Sequence, residues 1–166
     1  MIVPEVEELD SGDPEVLVIE NARRKARAGR AAAGGHGLTL GIDTEVAIDG
    51  RVLGKPADLA GARERLELLS GRTHEVLSGL VVVDTALGSE VPVERSGLTR
   101  TAVSFHELEA ETIELYLRSG EWRDRAGAYA IQGLGSILVA SIEGDFSNIV
   151  GLPVTTLLEL VPGLRE

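Results

Sequence analysis

Residues 41–56 read GIDTEVAIDGRVLGKP, and the fold turns on this stretch. From Leu38 to Asp49 apolar and polar residues alternate. Ile42, Thr44, Val46 and Ile48 fall on one side, and Asp43, Glu45, Ala47 and Asp49 on the other. A period of two is that of a strand, whose successive side chains point to opposite faces. Asp49-Gly50 is a two-residue hairpin signal, so Arg51–Leu53 is expected to return beside the first strand. Gly54-Lys55-Pro56 then leaves the sheet. The proline holds Lys55 in an extended conformation and so fixes the direction of its side chain.

Upstream, Met1–Val3 is too short for a useful strand. Asp13-Pro14-Glu15 starts a helix, with an N-cap aspartate, a proline at the first helical position and an acid in the first turn. The helix is expected to reach Ala33 and to stop at Gly34-Gly35. Ile19, Ala22, Ala26 and Ala33 form its expected buried stripe. Lys25 lies beside that stripe, where its stem can follow the core while its amine reaches a cleft edge.

Downstream, Asp58–Ser70 reads as a second helix with Leu59, Ala62, Leu66 and Leu69 inward, and Arg72–Asp84 as a long strand ending in LVVVD. Ala86–Pro92 is expected as a loop, Val93–Phe105 as a strand, and Glu109–Ser119 as a helix burying Ile113, Tyr116 and Leu117. Glu121–Gly135 is irregular and glycine-rich. Ser136–Ile142 reads as a strand, Ser147–Val150 as a further short strand, and Pro153 opens a last helix ending near Pro162. Strands and helices in this mixture predict an α/β fold with a mixed sheet.

The bulk composition narrows the function. A chain of 166 residues makes one domain, or one domain with two lobes, and 43% hydrophobic residues supply a core that few aromatics can share. With no cysteine, disulfides, thiolate metal sites and a cysteine nucleophile are excluded. No apolar run reaches the roughly 18 residues of a membrane span. The start MIVPEVEELD has neither the basic nor the apolar part of a signal peptide, so the cytoplasm is the expected compartment. A net charge of −11 repels nucleic acid and anionic membrane, but a nucleotide can bind where a divalent cation and local basic groups neutralise its phosphates. Of 16 basic residues only Lys25 and Lys55 are lysine. Either a compact ammonium is wanted at these two places or the two survive by chance.

Several side chains are candidates for chemistry. Asp43 and Glu45 share a strand face and can hold Mg²⁺ or let one member act as a base on water, although on pattern alone a solvated outer face is the plainer reading. Lys55 can bind phosphate as a point charge, or be a turn lysine. His74, near Arg72 and Glu75, reads as a surface histidine sooner than a catalytic one. His36 and His106 share no metal-ligand spacing with it, which argues against zinc. There is no P-loop, dinucleotide fingerprint or nucleophile elbow. Gln132 presents a donor and an acceptor side by side, complementary to the O4 and N3–H edge of uracil or thymine, or else packs a loop.

Taken together, ARRKARAG (Ala22–Gly29), GIDTEV (Gly41–Val46), LGKP (Leu53–Pro56), LSGRTHEV (Leu69–Val76), SGEWRDRAGAYAIQG (Ser119–Gly133) and IVGLP (Ile149–Pro153) resemble the Maf family of nucleoside triphosphate pyrophosphatases, in the family's order. The resemblance implies an elongated mixed sheet flanked by helices, two-lobed around a central cleft. It implies hydrolysis of the α–β bond with a divalent cation, Mg²⁺ first and Mn²⁺ as the other candidate. Asp43 resembles the family's proton acceptor, Thr44 and Gln132 its specificity residues, Lys25 and Lys55 its phosphate lysines, and Glu8 its early acidic residue. Gln132 together with His74 points to the dTTP/UTP branch. The metal would fall to Glu8 and Asp43, with Glu45 beside them, and a homodimer is implied. Residues 1–166 are then one Maf-like domain without the family's opening strand and Ser-x-x-Arg phosphate loop. Glu45 departs from the usual aliphatic residue, Arg125 from the usual lysine and Ala130 from the usual glycine. The family's association with inhibition of septum formation supplies a second expectation, a catalytically silent binding protein.

Overall fold

The computed structural model describes residues 6–85 and 91–165. The opening residues and most of the loop expected at 86–92 lie outside the described residues. Helix α1 (Pro14–Ala32) starts where the sequence places it. The Asp13 carboxylate accepts hydrogen bonds from the backbone N–H groups of Glu15 and Val16, a cap that contributes about 1 kcal/mol. Strand β1 (Gly37–Ile48) and the two-residue β2 (Arg51–Val52) form the hairpin. Asp49 and Gly50 both adopt positive φ, 53° and 71°, as a tight turn matched to strand twist requires.

α2 (Leu59–Leu69), β3 (Thr73–Thr85), β4 (Val93–Phe105) and α3 (Ala110–Ser119) follow, then β5 (Val139–Glu143), α4 (Phe146–Val150) and α5 (Val154–Leu160). The strands order as β2-β1-β3-β4-β5, flanked by helices, and the α/β class stands. The sheet is not mixed, however: every pairing among the described residues is antiparallel. A parallel return from β3 to β4 would need a crossover of about a dozen residues or more. The connection between Thr85 and Val93 is shorter than that.

Both faces of the sheet are covered. On one, α1 lies directly on the backbone of β1 and β3. A Cβ at Gly41 would come within 2.1 Å of the Ala22 carbonyl oxygen, and one at Gly79 within 2.3 Å of that of Val18. Ala22 and Ala26 are fully buried in this contact with Val81 and Val83. The stripe of α1 is Leu17, Val18, Asn21, Ala22 and Ala26. Ala33 is exposed and Ile19 only half-buried, because the helix rolls to put its smallest residues over the two glycines. On the other face, Val46, Ile48, Val76, Val103 and Phe105 pack against Leu66 and Leu69 of α2, against Ile113, Tyr116 and Leu117 of α3, and against Trp122 and Tyr129. Leu59 stays exposed at the start of α2.

Residues 147–150, expected as a strand, form the helix α4. Asp145 caps it by accepting from the Ser147 N–H, and Gly151 closes it at φ 104°. Two caps outweigh the β-branched pair Ile149-Val150. Asn148, fully buried, donates its amide to the Val76 carbonyl oxygen and to Thr101 Oγ1, both at 3.0 Å. Residues 136–138, the first part of the strand expected over Ser136–Ile142, belong instead to a 3₁₀ helix, Gly133–Leu138.

Candidate active site

The odd residues of β1 face α1. Asp43 is therefore buried, 4% exposed, beneath the helix. Its Oδ1 accepts from Lys25 Nζ at 2.5 Å and its Oδ2 from Asn21 Nδ2 at 3.3 Å. Asn21 in turn holds the backbone of Leu9, donating to its carbonyl at 3.0 Å and accepting from its N–H at 2.7 Å. That clasp brings Glu8 Oε1 to 3.0 Å from Lys25 Nζ. Burial draws the Lys25 ammonium down, but its bonds and charge contacts with Asp43 and Glu8 outweigh that and hold its pKa above the usual lysine value.

Glu45 lies on the same face. Burial first, then the Asp43 and Glu8 charges, push its pKa up to about 7, while Lys55 and Lys25 pull it back. Its Oε2 is buried and has no hydrogen-bond partner among the described residues. Among the described residues no group of three His, Cys, Asp or Glu side chains gathers around a point as a metal cage.

The even residues of β1 face a cleft with two chambers. The larger, about 140 Å³, is lined by Thr44, Val46, Lys55, Asp124, Arg125 and Tyr129, with the Ile149–Gly151 rim opposite. Thr44 Oγ1 is hydrogen-bonded to Ser78 Oγ on the neighbouring strand at 2.8 Å. The smaller, about 60 Å³, holds Gln132 with Arg125, Tyr129 and Ile131. Glu121 fixes the Gln132 loop by accepting from the N–H groups of Leu134 and Gly135 at 3.1 and 3.2 Å. Lys55 and Arg125 are exposed, and their side chains make no hydrogen bond or ion pair among the described residues.

His74 is not at the surface. It is 2% exposed, its Nε2 lies 2.8 Å from Tyr129 Oη, and its ring meets Phe105 and Tyr129 edge to face. Burial lowers its pKa to about 4, so it is neutral at ordinary pH. The histidine supports the cleft wall from behind.

The sequence-picked residues thus divide. Glu8, Lys25, Asp43 and Glu45 meet on the α1 side of β1. Thr44 and Lys55 share the larger chamber, and Gln132 lies in the smaller. The charge of Lys55 reaches the Glu45 carboxyl and links the two sides. Sequence reasoning does not mark Asn21, Ser78 or Tyr129 for the site, and it marks Arg125 only as a departure from lysine in the stretch that carries the resemblance.

The family model described as Maf-like protein matches residues 1–164. The chain belongs to the Maf family. Among the relatives of this Maf chain, a protein of Thermococcus gammatolerans is 45% identical over 166 residues, which is 99% of this chain and 83% of the relative. One of Moorella thermoacetica is 49% identical, covering 89% and 74%. One of Bacillus cereus is 42% identical, covering 95% and 80%. All three are named dTTP/UTP pyrophosphatase. Among the described residues of the Maf chain, no helix is long and apolar enough to cross a membrane.

Proposed function

We propose that this chain hydrolyses nucleoside triphosphates, dTTP and UTP in preference to others, to the monophosphate and pyrophosphate. The observation that carries the reading is the similarity, over nearly the whole chain, to relatives named dTTP/UTP pyrophosphatase. The cleft supports it. Lys55 and Arg125, without partners among the described residues, stand at a chamber of an otherwise acidic protein, and an amide able to read a pyrimidine edge stands at the next.

In this reading the triphosphate lies along Lys55 and Lys25, whose charges offset its own. The Asp43 carboxylate, held by Lys25 and Asn21, takes a proton from the attacking water. Thr44 and Gln132 select the nucleoside. The donor set suits a cation that keeps water and substrate phosphates as ligands, since Asp43 and the unpartnered Glu45 Oε2 offer two carboxylates, with Glu8 across Lys25. Mg²⁺ held there would neutralise charge on the phosphates. We take the cytoplasm as the compartment and a homodimer as the assembly, with the charge of −11 weighing against nucleic acid as a partner.

The test is to incubate the chain with each ribo- and deoxyribonucleoside triphosphate and Mg²⁺, and to measure pyrophosphate and monophosphate. dTTP and UTP are expected to turn over fastest. Orthophosphate in place of pyrophosphate, or equal rates for all bases, overturns the reading.

A further inference from the structure

The two chambers share four lining residues, Arg125, Tyr129, Ile149 and Val150. Tyr129, which lines both chambers, has its hydroxyl paired with His74 Nε2 inside the core. Ile149 and Val150 are apolar. Of these four shared residues, Arg125 is the charged one.

The chemistry of a nucleotide fixes what lies there. If the Gln132 chamber takes the base and the Lys55 chamber the outer phosphates, the sugar and the α-phosphate fall between them. The backbone that carries Arg125 is fixed in advance. Its carbonyl oxygen accepts from the Ala128 N–H at 3.0 Å, and the Gly127 N–H donates to the Gly54 carbonyl oxygen at 2.9 Å. Gly127 takes φ 66°, and any Cβ there would come within 2.9 Å of the Val46 side chain. The segment is thus pressed onto β1, while the guanidinium makes no hydrogen bond or ion pair among the described residues.

We propose that Arg125 is a catalytic residue that grips the α-phosphate, the reacting phosphorus, while the lysines hold the phosphates beyond it. The proposal rests on the hydrolase reading above. In the step, the water oxygen forms a bond to the α-phosphorus as a water proton passes to Asp43. The bond from that phosphorus to the bridging oxygen breaks, and its electron pair leaves with pyrophosphate. Charge grows on the α-phosphate oxygens, where a planar fork of N–H donors fits two at once. A lysine at this position would supply charge without the fork.

Arg125→Gln, Arg125→Lys and Lys55→Ala are compared with the parent chain. Pyrophosphate release from UTP gives kcat and KM. Calorimetry gives the affinity for UMP, which has an α-phosphate and nothing beyond it. Arg125 is exposed, so melting temperatures serve as the folding control. Arg125→Gln is expected to lower kcat about 10²- to 10³-fold, with the lysine variant in between and free guanidinium restoring part of the loss. UMP binding is expected to weaken in Arg125→Gln and to hold in Lys55→Ala. An active parent with an equally active Arg125→Gln variant overturns the role of Arg125 alone, as does UMP binding that depends on Lys55 and ignores Arg125. A parent that releases no pyrophosphate from any triphosphate instead overturns the hydrolase reading, and the catalytic role with it.

Discussion

Asp43 is held on both oxygens, by an ammonium and by an amide, beneath a helix. Asp43→Asn keeps the size and the fold but cannot take a proton. We expect pyrophosphate release to fall by about 10²- to 10⁴-fold with little change in melting temperature, because Lys25 keeps Glu8 as a partner. Unchanged turnover would remove Asp43 as the base. At Gln132, replacement by Glu exchanges a donor and acceptor for acceptors alone. The ratio of kcat/KM for UTP over GTP should drop about tenfold or more, and an unaltered ratio would deny Gln132 its role. His74 gives a pH signature. Its folded pKa of about 4 lies below its ordinary 6.5, so between these values the unfolded chain binds the proton and the folded chain does not. Stability is therefore lost as pH falls from 6.5 toward 4, by up to about 3 kcal/mol. Urea titrations of the parent and of His74→Phe over that range should differ in slope, the variant being flatter; parallel curves would contradict the assignment.

At the scale of elements, the decisive contact is α1 on the sheet. Gly41 and Gly79 let the helix touch the strands at backbone distance, and this approach lets Lys25 reach Asp43. Gly41→Ala puts a methyl where Ala22 and Ala26 already are, so the helix must lift. We expect a loss of about 2 kcal/mol or more, read as a lower midpoint in urea, together with reduced turnover as the Lys25–Asp43 pair lengthens. A variant as stable as the parent would mean that the contact has slack. The α4 segment is a similar case on the other face. The buried amide of Asn148 ties it to β3 and β4 and so sets the Ile149–Gly151 rim of the cleft. Neither arrangement could be read from periodicity. Alternation in β1 is equally consistent with a wet acidic face, and only a helix laid across Gly41 makes that face dry.

At the scale of the molecule, the cleft joins residues 44–55, 124–132 and 149–151 across the covered sheet. A ligand that bridges these segments in the folded state alone must raise the melting temperature. UTP with Mg²⁺, in a form blocked against hydrolysis, should stabilise by about 2.7 kcal/mol at a hundredfold excess over Kd. Lys55→Ala should reduce the shift, and an absent shift in the parent would argue against nucleotide binding. In a chain of net charge −11, Lys55 and Arg125 at one chamber make a local positive spot that favours an anion.

Local sequence encodes the elements: the capped start of α1, the β1–β2 hairpin at Asp49-Gly50, the buried stripe of α3, and the two long strands. These depend on neighbours within a few residues, so local spacing encodes them. It also marked Asp43, Lys25, Lys55, Thr44 and Gln132, but only as a set, through their order along the chain. The folded packing sets the direction of pairing, the turning of 147–150 into a helix, the burial of His74 and the exposure of Arg125, which has no partner among the described residues. Each of these depends on what lies across a gap of tens of residues. The division of the site between the two faces of β1 is of the same kind. Adjacent residues on a strand point apart, so Asp43 lies beneath α1 while Thr44 lines the cleft that the 124–132 segment and α4 complete.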